Sequence, residues 1–341
     1  MLGSKVLLIY TGGTIGMIKD PETRALKPFD FEQITKEVPE LNKFECEIDT
    51  FSFENPLDSS NMRPEIWVQI AEIIEDKYAL YDGFVVLHGS DTMAFTASAL
   101  SFMLHGLNKP VILTGSQLPI GTIRTDGKEN LITAIEIAAA KKANNPLVPE
   151  VAIYFEYNLY RGNRTTKINT EDFEAFESFN YPILAEAGIT IKYDFRSIMQ
   201  LKPERQLNVY KVFDKNVASL KLFPGITEGF VSHFLKTPNL KAIVLETFGS
   251  GNSMSEEWFF SLLKQAVDKG IVIVNITQCK GGRVDHSKYE SGNSLEAIGV
   301  ISGGDITFEA AITKLMLLLG GKTIAEKIKI KFLSPFCGEI S

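Results

Sequence analysis

Short runs of consecutive apolar residues, many of them β-branched, recur along the chain. They fall at 6–10, 84–87, 111–113, 151–155, 243–245 and 271–276 and show no polar alternation. A strand with one wet face would alternate, whereas an unbroken apolar run suits a strand covered on both faces, as in a parallel sheet. The stretches 64–77, 92–104, 126–142, 256–269 and 307–319 are longer and amphipathic, and they predict helices. Strands and helices taking turns in this way predict an α/β fold of mainly parallel sheets flanked by helices, with right-handed crossovers. The rhythm breaks at 194–216, where the sequence is mixed and charged (KPERQ, FDKN), and a new strand-like run with a Pro-Gly turn follows at 220–225. That break places an N-terminal α/β domain at 1–193, a linker at 194–216 and a C-terminal α/β domain at 217–341.

The 341 residues are enough for two such domains, since a domain takes roughly 150. Lys and Arg number 35 against 42 Asp and Glu, and the resulting charge of −7 argues against a nucleic-acid partner, which needs a basic face. A hydrophobic share of 45% with 23% charged residues marks a globular chain able to bury a full core. No apolar run approaches the roughly 18 residues of a membrane span, so no membrane partner is expected. The run at 6–10 is too short for a secretory signal and ends in glycines, so a cytoplasmic location is expected. Cys46, Cys279 and Cys337 are widely spaced and odd in number, which suits neither a disulfide framework nor a zinc site, and no metal is expected.

In open parallel sheets, ligands bind beyond the carboxyl ends of the strands. Three loops at such ends are unusual. Thr11-Gly12-Gly13-Thr14-Ile15-Gly16 follows the first run; its glycines permit a sharp turn with N–H groups facing a ligand oxygen, and two hydroxyls flank them. It lacks both the G-x-G-x-x-G spacing and the lysine of a phosphate loop, which leaves a plain turn or a nucleophile or anion site. His88-Gly89-Ser90-Asp91-Thr92 follows the second run. Its hydroxyls and carboxylate suit either a helix cap, worth ~1 kcal/mol, or a grip on a ligand's ammonium group. His88 reads as a satisfied core histidine, and without a G-x-S-x-G elbow a Ser/His/Asp hydrolase is not indicated. Arg161-Gly162-Asn163-Arg164-Thr165-Thr166-Lys167 has three cations in seven residues, the composition of a solvated loop. If Lys167 turns inward toward Asp91, the pair must be mutual, because stranding either buried charge costs ~3–5 kcal/mol. A lysine so placed suits a general base.

Taken together, these loops resemble the bacterial-type L-asparaginases, and among them the cytoplasmic type I class. The resemblance is carried by TGGTIG at 11–16, DSSNM at 58–62, HGSDTM at 88–93, TGSQLP at 114–119, RGNRTTK at 161–167 and ISGGDITFEAAITKL at 301–315, in the family's order over nearly the whole chain. It implies a larger N-terminal and a smaller C-terminal α/β domain, assembled as a homodimer or homotetramer with sites near the subunit contact. The implied activity is hydrolysis of L-asparagine to L-aspartate and ammonia through a threonine acyl-enzyme, with room for minor glutaminase activity and no cofactor. Taken residue by residue, the resemblance puts the nucleophile at Thr14, a second hydroxyl at Ser90 and the carboxylate that grips the substrate's α-amino group at Asp91. It puts the catalytic lysine at Lys167 and the binders of the α-carboxylate at Ser59 and Ser60. Asn252, in GSGN, matches a residue lent to the neighbouring subunit's site.

The sequence departs from the family in three places. Serine stands at 90 where the family usually has threonine, which keeps the hydroxyl and loses the methyl that restricts it. The family's mobile loop usually carries a tyrosine that activates the nucleophile; residues 17–29 have none, and Leu26 lies about where it would fall. Activation then rests on Ser90 and Lys167 or on another residue reaching in. Glu246-Thr247-Phe248 stands where some type I enzymes place an arginine of an activating asparagine site, so that allostery is not expected, although Thr277-Gln278-Cys279 resembles its other wall. Two alternatives share the core: a glutamine-hydrolysing amidotransferase-type subunit, usually preceded by a further N-terminal domain, and a non-catalytic amino-acid sensor. A dinucleotide-binding oxidoreductase ranks last, because the first loop lacks the fingerprint spacing.

Overall fold

The computed structural model describes residues 3–19, 26–28, 38–288, 290–321 and 323–341. The chain divides into two compact units, Met1–Lys211 and Val212–Ser341.

The first unit is built on one eight-stranded sheet. Its strands are β1 (Lys5–Gly12), β2 (Glu47–Leu57), β3 (Gly83–Leu87), β4 (Val111–Thr114), β5 (Val151–Phe155), β6 (Asn158–Arg161), β7 (Ala185–Ala187) and β8 (Ile191–Tyr193). They lie in the order β8-β7-β6-β5-β4-β3-β1-β2. From β2 to β5 every pairing is parallel, and from β5 to β8 every pairing is antiparallel. Covered on both faces, β1 shows why its run does not alternate: Val6, Leu8 and Tyr10 join the core beside Leu131 and Ile135, while Leu7 and Ile9 point to the other face and are equally buried. Helix α1 (Pro64–Lys77) packs on α2 (Met93–Met103), α2 packs on β5, and α3 (Gly127–Ala139) packs on β1, β3, β4 and β5. The order 2-1-3-4-5 reverses between β1 and β3, and a crevice opens at the carboxyl ends of the strands where such an order reverses. Both glycine loops of interest leave the sheet there.

Four of the expected strands and the helix 64–77 lie in this unit where the apolar pattern puts them. The helix expected over 126–142 stops at Ala139, because Lys141–Lys142 turns back on Asn145–Pro146 through two left-handed residues, Ala143 and Asn144. Among the described residues the longest strand is β2, an exposed edge whose one strand partner is β1, and it accordingly has no apolar run.

In the second unit β9 (Val217–Lys221), β10 (Ala242–Thr247), β11 (Val272–Thr277) and β12 (Ile301–Ser302) form a parallel sheet in sequence order. Helices α4 (Glu228–Leu235), α5 (Glu257–Asp268), α6 (Glu290–Ala297), α7 (Phe308–Gly320) and α8 (Ala325–Leu333) accompany it. Lys314 of α7 is wholly buried and pairs with the equally buried Glu339. Its amine also donates to the carbonyls of Phe332 (2.7 Å) and Ser334 (3.1 Å), while Glu339 accepts the N–H groups of Phe336 and Cys337. A buried pair is tolerated because both charges have their hydrogen bonds met. Among the described residues no helix is long and apolar enough to cross a membrane.

Candidate active site

The first glycine loop is fastened to the sheet by Thr11, whose Oγ1 donates to the carbonyl of Leu87 at 2.9 Å and so laces the ends of β1 and β3 together. Gly13 follows with φ 87° and donates its N–H to Leu57 O at 3.1 Å. A Cβ on Gly13 would stand 2.4 Å from the Gly89 nitrogen, so only glycine allows the two loops to touch. Gly89 is just as confined, for its own Cβ would stand 2.5 Å from Ser59 Oγ. Three separate segments therefore meet backbone to backbone. Thr14 is the residue after Gly13, Ser90 is the residue after Gly89, and buried Ser59 touches both loops' meeting point.

The Ser59 turn is held from two sides. Thr92 Oγ1 donates to Ser59 O at 2.7 Å, and Asp58 accepts the N–H of Ser60 at 2.9 Å, a bond that holds the Asp58 carboxyl below the usual carboxylate range. Ser60 itself is exposed.

Lys167 reaches the site from a short strand, Thr166–Lys167, paired with Phe176–Glu177. Its amine donates to Ser90 Oγ at 2.9 Å and to Asp91 Oδ1 at 2.6 Å. The lysine side chain is 15% exposed and the carboxylate 62%, so the pair joins a nearly dry amine to a wet acid. Such a pair adds little to stability, and its effect is to aim the amine.

The loop that carries Lys167 is not the solvated segment its composition suggests. Arg161 is buried and donates Nε to Glu150 Oε2 at 2.7 Å and a terminal nitrogen to Ser197 O at 2.9 Å, with the guanidinium 4.3 Å from the Tyr181 ring. Arg164 is buried beside the same ring and donates to Asn180 O at 3.2 Å. Two of the loop's three cations thus clamp it to the core, and the third is free to point along the sheet's end. Cations in a loop read as solvated until their partners are known, and these partners come from distant sequence.

His88 is the satisfied core histidine expected at the end of β3. Its Nδ1 lies 2.7 Å from Gly89 O, an atom that only accepts, so Nδ1 carries the proton. Nε2 then accepts from Thr96 Oγ1 at 2.9 Å, and Thr96 in turn accepts from Trp67 Nε1 at 3.0 Å. Burial pushes the His88 imidazole down from 6.5 to about 4. Between those two values the unfolded chain binds the extra proton and the folded chain does not, so stability falls as pH drops through this window and levels off below it. Urea unfolding at a series of pH values should show this slope in the parent protein and a shallower one in His88→Gln; equal slopes would contradict it.

Gln117, which follows β4 in TGSQLP, had no role in the sequence reading and belongs to the site: its Oε1 accepts from Ser90 Oγ at 3.2 Å. Leu26 lies in the strand Leu26–Pro28, paired with Met17–Lys19; its side chain and residues 20–25 lie outside the described residues. Asn252, in the second unit, closes a turn with backbone bonds to Phe248 in both directions, and its Oδ1 accepts from Ser291 Oγ at 3.1 Å. Among the described residues no group of three or more His, Cys, Asp or Glu could hold a metal ion.

Known proteins match the chain along its whole length. The family model "Asparaginase, N-terminal" covers residues 5–199 and "Glutaminase/Asparaginase C-terminal domain" covers 216–332. The chain is a member of the asparaginase family. It is 42% identical over 342 residues to L-asparaginase 1 of Escherichia coli strain K12, spanning 100% of this chain and 99% of that one. The crystal structure of L-asparaginase I from Vibrio cholerae superposes with a TM-score of 0.91 at 38% identity, covering 99% of both chains. The thermostable L-asparaginase from Thermococcus kodakarensis gives 0.90 at 31%, again over 99% of both. Family membership makes this protein an amide-bond hydrolase and bears out the α/β fold expected from the strand and helix pattern.

Proposed function

We propose that the protein hydrolyses L-asparagine to L-aspartate and ammonia, with Thr14 as nucleophile. The observation that carries this reading is the meeting of the Thr14 and Ser90 loops at Gly13 and Gly89, with Lys167 bridging Ser90 and Asp91 beside them. An amide is a poor electrophile and a threonine hydroxyl a weak nucleophile, so the site must help both. In this reading Thr14 Oγ attacks the side-chain amide carbon, and its proton passes to a water among Ser90, Lys167 and Asp91 and on to the departing amide nitrogen. The carbonyl oxygen's charge is held by backbone N–H groups, each typically worth ~2.7–4 kcal/mol. The Gly13 N–H is committed to Leu57, so the donors of this reading are the next amides along, at Thr14 and Ser90. Ammonia departs, and water cleaves the acyl-enzyme.

Specificity follows from the substrate's two charges. Asp91 receives the α-ammonium group, and Ser59 and Ser60 receive the α-carboxylate. An amide lacking either charge leaves polar groups of the site unpaired, and kcat/KM is expected to fall about 10³-fold or more. A coupled ammonia assay with L-asparagine, L-glutamine, succinamate and propionamide tests this; succinamate turned over as well as asparagine would remove Asp91 from its role, and binding of asparagine without ammonia release would make the protein a sensor. The resemblance to the type I class further supports a cytoplasmic homodimer or homotetramer in which Asn252 serves the neighbouring subunit's site.

A further inference from the structure

Ser90 differs from a threonine in lacking the branch at Cβ that limits its rotation, so its hydroxyl takes its direction from its hydrogen bonds. Among the described residues it donates to Gln117 Oε1 at 3.2 Å and accepts from Lys167 Nζ at 2.9 Å. Gln117 in turn donates Nε2 to the carbonyl of Asp172 at 3.1 Å. That carbonyl can only accept, so the glutamine amide has one possible orientation, with its oxygen toward Ser90. Its main chain is fixed as well, because the Asp126 carboxylate accepts the N–H of Gln117 at 2.8 Å and of Leu118 at 3.1 Å.

We propose that Gln117 is a positioning residue of the catalytic machinery: by accepting the Ser90 proton it keeps the Ser90 lone pair turned to Lys167 and so aims the amine. The direction of the whole chain of bonds, from Lys167 to Ser90 to Gln117 to Asp172, is set at its far end by one backbone carbonyl. Asp172 sits in the turn that follows the Lys167 strand, where Asn169 Oδ1 accepts the N–H groups of Glu171 and Asp172. Gln117 therefore ties the Ser90 loop to the segment that delivers Lys167. It acts through Ser90 and Lys167. Its effect belongs to the alignment of a group that acts in the chemical step, so its loss should appear in kcat and leave substrate affinity alone.

The inference rests on the asparaginase reading of the site, and the experiment separates the two. Gln117→Met keeps the side chain's length and removes its acceptor and donor. With L-asparagine its kcat is expected to fall about 10- to 100-fold with KM changed by no more than about twofold. Thr14→Ala is measured beside it. Parent-like kcat in Gln117→Met, or a loss confined to KM, overturns the role of Gln117 while leaving the site reading intact, provided Thr14→Ala is inactive; turnover retained by Thr14→Ala overturns the site reading itself.

Discussion

Thr14→Ala is expected to stop ammonia release, with kcat lower by about 10⁴-fold or more, the scale seen when a nucleophile acting in concert with its partners is removed. The argument is positional. Thr14 follows Gly13, whose backbone is packed against Gly89 at a distance that admits no side chain, so its place at the carboxyl end of β1 is set by main-chain contact and not by its own methyl or hydroxyl. Removing the Oγ therefore takes away the attacking atom without loosening the turn. Circular dichroism and the thermal midpoint should stay close to the parent's, since a half-buried threonine at a turn carries little packing. Ammonia released by the variant at more than a trace would assign the nucleophile elsewhere.

Lys167→Met should lower kcat about 10³-fold while changing stability by no more than about 1 kcal/mol. The two expectations follow from the same geometry. The amine reaches Ser90 and Asp91 together, so methionine breaks both bonds at once. Asp91 is 62% exposed and loses only a partner that water replaces, and methionine fills the space of the lysine stem. A large drop in the urea midpoint, or kcat above about a tenth of the parent's, would contradict the aimed-amine role.

Much of this could be read from sequence for a physical reason. A strand buried on both faces must be apolar throughout, so β1, β3, β4 and β5 announced themselves as unbroken runs, and the residues just past them marked the crevice. Thr14, Ser90 and Asp91 lie within a few residues of those strand ends, where local pattern and chemistry coincide. What escaped depends on partners far along the chain. Strand β2 is an edge whose pairing with β1 is written in backbone bonds and not in hydrophobicity. Arg161 reads as solvated because Glu150, Ser197 and Tyr181 are invisible from its own neighbourhood. Gln117 is one residue of a recognisable motif, but its meaning comes from which way its amide points, and Asp172, at 55 residues' separation, decides that.

The most direct measurement of the central claim is an acid quench of the protein during turnover of isotope-labelled L-asparagine, followed by peptide mapping of the covalently held label. Label on Thr14 in the parent protein, and none in Thr14→Ala, is the expected result. Label resting on Ser90, or found on any residue outside the meeting point of the two glycine loops, would contradict it.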